Sequence, residues 1–386
     1  MEGPARAGRG APRRSGCGRA RDPRPRGAAG AVVTPKSARA RTGQRLLAAF
    51  REAGAVEVAP DVLLPAETLL ELYGEDIRAR AYVTDDPIRG EVMLRPDFTV
   101  PVVQMHMAGG AEPARYCYLG EVFRKQDHGD TRPEKPRDNE YLQVGYEAFS
   151  RDTARADAEV FALFHRLLAP FGLTATLGDM ALIDAAIAAL PLSEPRRAAL
   201  AHHIWRPGRF DRLLVRFSLP GTTRNLAPAG KTPWTGLRTQ AEMAARIARM
   251  DDDAGQPPLS PAAVDRLHAL LAVACPADRA VAELQALGQP ALAPAIDRLA
   301  ERLAHLARAG IAPGSLRFDA SHGRGTMEYY DGMTFTFIAP ARPDWPPVAS
   351  GGRYDRLTAE LGRGAAIPAV GGIIRPGLVA EMEGAC

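Results

Sequence analysis

The chain has no long apolar run. Nowhere among its 386 residues do the ~18 consecutive apolar positions of a membrane span occur. Cysteine is sparse: Cys17, Cys117, Cys275 and Cys386 stand alone, with no CxxC pair. The eight histidines give neither HxxxH nor HExxH spacing, and the adjacent His202 and His203 point two ways on a helix. These absences exclude a disulfide framework and a structural zinc site, and they suit a reducing cytoplasm. No metal and no cofactor is called for. A basic nucleic-acid-binding surface is missing too, although the net charge is +4. Residues 1–41 hold a surplus of nine positive charges, which leaves the rest of the chain at −5. A groove that tracks phosphates needs the opposite balance in the folded part.

What is present divides by composition. Residues 1–41 are rich in Arg, Gly, Pro and Ala, and too poor in bulky apolar side chains to offset ordering entropy. They read as a disordered extension. A nucleic-acid arm and a transit peptide are alternatives, and the Pro-broken, Ser-poor pattern disfavours the second. Order is expected from Thr42, where Leu46, Leu47 and Phe50 recur at helical spacing and Gly54 can end the helix. The run 56–74 reads as a strand and a short helix, and 91–105 as a strand, a break at Pro96 and a helix after Thr99. Residues 114–123 and 140–149 alternate as an antiparallel pair around a long polar loop. An amphipathic helix follows Asp152, with Val160, Phe161, Leu163, Phe164, Leu167 and Leu168 on one face.

From 186 to 310 the pattern is helical and Ala-rich, and strand signals return after Gly310. Asp331–Gly332 sits between "MEYY" and "MTFTFIA", which predicts a two-residue hairpin with Tyr329 and Tyr330 on opposite faces. The resulting scheme is an α+β core in two halves, 42–185 and 311–386, interrupted by a helical insertion over 186–310.

Several strand segments carry polar residues that suit a zwitterionic amino acid: Asp97, Thr99, Arg124, Gln143, Glu147, Tyr330 and Tyr354. Gln143 and Glu147 are an even number apart, so both face one side of a strand. Carboxylates can meet an ammonium, Arg a carboxylate, and Tyr or Glu a polar side chain. Taken singly, each is better read as a solvated strand residue or a member of an ion pair.

Together they resemble the histidyl-tRNA synthetase family. "MLRPDFT" looks like its LRPE-x-T segment, "YCYLGEVFR" like its motif two strand, and "YLQVGYEAF" like its F-x-Q-x-G-x-E-x-F strand. "GRGTMEYYDG" resembles its first histidine signature, RGLDYY, and "GGRYDRL" its second, GGRYDGL. The resemblance implies a class II aminoacyl-tRNA synthetase-like antiparallel sheet flanked by helices, usually dimeric. By residue match it implies Asp97 and Thr99 at the α-amino group, and Arg124 and Gln143 at the carboxylate and amino end. Glu147, Tyr330 and Tyr354 would meet the imidazole.

The departures bear on function. Gly325 stands where the first signature has its Arg, and Arg324 is one residue early, which on a strand aims it at the other face. Gln126 replaces an acid in motif two. In motif three, "GIIRPGLV" puts Leu378 at the adenine-clamping Arg of G-x-G-x-E-R, and Pro376 is expected to break the helix there. No anticodon-binding domain is expected after Cys386. An amino-acid half without an ATP half resembles the paralogous regulatory subunits of ATP phosphoribosyltransferase. That resemblance implies a non-catalytic cytoplasmic protein that assembles with a short catalytic subunit in the first step of histidine biosynthesis. L-histidine would be its effector. A truncated histidyl-tRNA synthetase-like enzyme that activates histidine with ATP is the alternative.

Overall fold

The frame of the protein is a mixed sheet whose middle strands are glycine-rich on one face and aromatic on the other. A computed structural model describes residues 35–73, 77–125, 139–221, 237–325 and 328–385. Its strands are β1 (Val56–Glu57), β2 (Leu63–Pro65), β3 (Val83–Asp86), β4 (Gly90–Leu94), β5 (Ala114–Phe123) and β6 (Glu140–Phe149). They continue as β7 (Thr174–Asp179), β8 (Ala274–Pro276), β9 (Arg317–Asp319), β10 (Met333–Ile338), β11 (Ala349–Arg353) and β12 (Ala369–Ile374). Nine of these form one sheet in the order β1-β5-β6-β12-β11-β10-β7-β9-β8. The six strands from β5 to β7 in that order are antiparallel throughout, and the parallel pairs β1/β5 and β7/β9 lie outside them. A small antiparallel sheet, β2-β4-β3, stands apart.

The even spacing of strand side chains explains how one sheet serves two purposes. On one face of the long strands stand Val144, Tyr146, Leu177, Phe335, Phe337, Val370 and Ile374, all buried. Two helices cover them. Lys36–Glu52 brings Phe50 against Tyr146, with ring centroids 5.4 Å apart, and Thr153–Leu168 brings Phe161 to 5.6 Å from Phe335. The apolar positions expected on the second of these helices are the ones that pack here. On the opposite face the same strands present polar residues and glycines, and this face carries the site.

A buried ion cluster ties the helices to the sheet. Asp157, on the Thr153–Leu168 helix, accepts from Arg302 Nε at 2.9 Å and from Arg353 Nη2 at 2.6 Å. Arg302 also donates to Asp179 at 3.0 Å, and Arg353 to Asp355 at 2.9 Å. Asp179 in turn accepts from the backbone N–H of Ala181 and caps the next helix. Arg302 lies on the Ala293–Arg308 helix, within the stretch read as an insertion, so that stretch is joined to the core by charge. It is joined by backbone as well, because β8 falls inside it and pairs with β9.

Three expectations are corrected. The first helix begins at Lys36, six residues before Thr42. Asp331–Gly332 makes no hairpin: Glu328–Tyr330 is turn and coil, and β10 pairs instead with β7 and β11. A type I′ turn needs positive φ at both central residues, and neither Asp331 nor Gly332 has it. The Asp331 carboxylate is used otherwise, accepting from the N–H groups of Asp355 (3.0 Å) and Arg356 (2.6 Å) at the start of the Asp355–Leu361 helix. Pro376 does not break a helix. It opens one, Pro376–Ala385, where a missing N–H costs nothing.

Breaking the ion cluster at its hub tests its weight. Asp157→Ala leaves two buried guanidiniums without their shared partner and should cost about 3–5 kcal/mol. Guanidinium chloride unfolding measures it, and a loss below about 1 kcal/mol would contradict the assignment.

Candidate functional site

Cross-strand pairing sets three rows of residues across the polar face. The first row runs Tyr116, Glu147, Gly371, Gly352, Thr334, Gly178 from β5 to β7. The second runs Tyr118, Gly145, Ile373, Ser350, Thr336, Thr176. The third begins Gly120, Gln143. The glycines make room. A Cβ on Gly371 would fall on the Glu147 carboxylate, and one on Gly145 would fall within the Tyr118 ring. A Cβ on Gly352 would come within 2.9 Å of the Tyr330 ring, and one on Gly178 within 2.7 Å of His322. Every glycine of this trough is therefore roofed by a functional-type side chain.

Glu147 is the centre. It has no exposed surface, and three hydroxyls donate to its carboxylate: Thr99 at 3.0 Å, Tyr118 at 2.9 Å and Tyr354 at 2.5 Å. Burial pushes its pKa up to about 7, against the pull of those hydroxyls, and the neighbouring Asp97 charge adds to the rise. Tyr118 and Tyr354 are both held well above the usual phenol range, first by burial and then by the Glu147 charge, so they remain donors.

Each partner arrives from a separate element. β4 ends before Arg95, and Asp97 accepts from Val100 N–H at 3.3 Å as the helix Thr99–Met107 begins, which fixes Thr99 beneath Glu147. Arg95 donates to the carbonyls of Glu121 and Pro60 and lies over the Phe98 ring at 3.9 Å. Phe98 stacks on Tyr118 at 4.3 Å. Arg124 leaves the end of β5 and donates to the Pro96 carbonyl at 2.7 Å. Tyr354 follows β11 directly.

All seven residues expected from the sequence converge. Thr99 and Tyr354 touch Glu147 directly, and Gln143 shares its face on β6. Tyr330 is raised far above the usual phenol range by burial, and the charges it senses are Glu147, Asp97, Arg124 and Arg375. The two adjacent tyrosines do not point to opposite faces. Their rings meet edge-on at 5.1 Å, and Tyr329 also meets Tyr354 at 5.9 Å. Tyr330 thus enters the site and Tyr329 packs behind it.

Sequence reasoning missed Tyr118 and Arg95. Tyr118 had a signal: in the paired strands it stands opposite Gly145, the one β6 position with space for its ring. Arg324, expected on a strand, lies in a turn, and it does point away. It donates to the Ile204 carbonyl at 3.3 Å and sits over the Phe210 ring at 4.7 Å. Leu378 packs against the apolar core. Gln126 and the polar loop after it lie outside the described residues, as do most of 1–41 and Met327.

Comparisons with known proteins give the family and the fold. A family model described as histidyl-tRNA synthetase matches residues 32–216 and 237–376. Among curated proteins, a protein of Mesorhizobium japonicum named ATP phosphoribosyltransferase regulatory subunit is 34% identical over 84% of this chain and 92% of its own length. One of the same name from Rhizobium meliloti is also 34% identical, over 84% and 92%. This chain belongs to that family of histidyl-tRNA synthetase-like regulatory subunits. Among solved structures, an ATP phosphoribosyltransferase regulatory subunit/histidyl-tRNA synthetase from Bacillus halodurans C has the same fold, with a TM-score of 0.67 and 20% identity over 91% of this chain and 80% of that one. Histidyl-tRNA synthetase from Nostoc sp. PCC 7120 aligns with a TM-score of 0.61 at 14% identity over 92% and 75%. The class II synthetase-like fold is thereby established, and among the described residues no helix is long and apolar enough to cross a membrane.

The buried carboxylate makes stability fall with rising pH. Unfolded, Glu147 loses its proton near 4.5, and folded near 7. Between those values the native state holds the extra proton, so raising the pH through this window destabilises it by on the order of 3 kcal/mol, with no further change above. Asp331, pushed up to about 7 chiefly by burial, acts in the same direction. Glu147→Gln should remove its own share. Denaturant unfolding at pH 5 and pH 8 measures this, and a slope identical in wild type and variant would contradict the assignment.

Proposed function

We propose that this chain is the regulatory subunit of an ATP phosphoribosyltransferase, required by a short catalytic subunit in the first step of histidine biosynthesis, and that its tyrosine-ringed pocket receives L-histidine as the feedback signal. The observation that carries the reading is Glu147: a fully buried carboxylate with a pKa near neutrality, ringed by the hydroxyls of Thr99, Tyr118 and Tyr354 and close enough to Asp97 to feel its charge. A weakly basic imidazole has a ring N–H that such a group can accept, and its own protonation lies in the same pH range. Asp97 and Thr99 then stand for the ammonium, Arg124 and Gln143 for the carboxylate and amino end, and Tyr330 and Tyr354 for the ring.

Catalysis on ATP is disfavoured by the same geometry. Acyl-phosphate chemistry needs preorganised positive charge at the reacting oxygens. Arg324 spends its guanidinium on Ile204 and Phe210 instead, and Leu378 is packed in the core. In this reading the pocket is a sensor: histidine favours one state of the assembly, and the coupling is reciprocal. The chain works as a homodimer within the hetero-oligomer, as class II cores commonly do.

Mixing the purified full-length protein with a short catalytic chain should raise formation of phosphoribosyl-ATP, and histidine should lower it. No activation by the chain would overturn the proposal, and histidine-dependent ATP–pyrophosphate exchange would favour the synthetase-like alternative. Glu147→Ala should raise the histidine concentration for half-inhibition roughly tenfold or more while assembly persists, because a buried polar pair is worth about 1–3 kcal/mol.

A further inference from the structure

Asp331 has the local chemistry of a turn residue, yet its bonds run to a distant segment of the site. It makes three hydrogen bonds to the residues around Tyr354. Its N–H donates to the Arg353 carbonyl at 3.0 Å. Its Oδ1 accepts from Asp355 N–H at 3.0 Å, and its Oδ2 from Arg356 N–H at 2.6 Å. On one side of this clasp stands Tyr330, whose ring lies against Gly352. On the other stands Tyr354, whose hydroxyl donates to Glu147 at 2.5 Å. The segment carrying one site tyrosine is thereby fastened to the segment carrying the other. Each carboxylate oxygen serves one N–H, so a proton on either oxygen takes an acceptor away from the clasp.

We propose that Asp331 is a positioning residue of the amino-acid pocket, and that its carboxylate sets Tyr330 against Tyr354 only while ionised. The proposal rests on the amino-acid reading of that pocket. Asp355 and Arg356 face Asp331 from the Asp355–Leu361 helix, and Arg353 faces it from the end of β11. Asp331 also lines two cavities. One, of about 260 Å³, it shares with Arg298 and the Asp157–Arg302–Asp179 cluster. The other, of about 120 Å³, it shares with Glu328, Tyr329, Tyr330 and Glu360. Burial first, and then the Asp355 charge, push the Asp331 pKa up to about 7, against the pull of the two N–H groups and of Arg353. The clasp is therefore complete above this value and opens as the pH falls through it. Ionising a buried carboxylate costs the fold as a whole, so affinity gains with rising pH where stability loses.

The test compares wild type with Asp331→Asn, the neutral isostere, on the full chain. L-Histidine binding is read by titration calorimetry at about pH 6 and pH 8.5. The two proteins should bind about equally at pH 6, where wild-type Asp331 is itself mostly neutral. At pH 8.5 the variant should bind roughly 10-fold more weakly, the scale of one hydrogen bond to a charged group. Glu147 titrates in both proteins, so its share cancels in the comparison. A ratio of affinities that stays constant with pH overturns the proposal, because a merely structural role would give that result. A second readout needs no ligand. Hydrogen exchange over residues 353–357, corrected for the intrinsic rate, should show protection that rises between these pH values in wild type and not in the variant. No rise in wild type overturns the clasp. If wild type binds no histidine at either pH, the amino-acid reading itself falls, and the exchange readout keeps that outcome distinct from failure of the clasp.

Discussion

A carboxylate buried in the middle of a sheet is the constraint from which the site follows. Glu147 has no water to solvate it, so its oxygens must be met by protein donors. Those donors come from three directions: Thr99 from a helix start, Tyr118 from the neighbouring strand, and Tyr354 from the end of β11. Each needs space above a strand, and the glycines opposite supply it. Replacing Gly371 with any larger residue would displace the carboxylate, and replacing Gly145 would displace the Tyr118 ring. In "VGGII" and "ASGGR" the glycines divide between the faces: Gly371 makes room for Glu147 and Gly352 for Tyr330, while Gly372 and Gly351 make room for Phe335 on the aromatic face.

Holding those donors in register demands a rigid frame, and the ion cluster around Asp157 provides it. Arg353 is adjacent to Tyr354 in sequence, and its guanidinium is fixed by both Asp157 and Asp355. Asp331, next to Tyr330, holds the same segment by its grip on the N–H groups of Asp355 and Arg356. The two site tyrosines are thus each flanked by a residue anchored in charge. Its guanidiniums are paired with carboxylates throughout.

Much of this was legible in the residues. The strands 114–123 and 140–149 were read to the residue, because strict alternation and a polar loop leave little freedom of register. The residues now found around Glu147, among them Thr99 and Tyr354, were picked out by motifs in the sequence, although only Gln143 and Glu147 of the seven lie on a strand. The errors share a cause. The Asp331–Gly332 pair has the local chemistry of a hairpin, but a helix N-terminus some 24 residues onward recruits the aspartate. Pro376 has the local character of a helix breaker, but its position at the first turn makes it a helix starter. Tyr118 escaped because its place depends on which strand lies beside it. Sequence order alone does not place β12 between β6 and β11.

The glycine trough also limits how such a pocket can change over time. Its floor admits no side chain at Gly145, Gly352 or Gly371 without expelling a residue above. Variation around Glu147 is thereby confined to the roof: the loop carrying Tyr329 and Tyr330, and the helix start at Asp97–Thr99. A fold built this way can change its covering residues while its sheet stays the same.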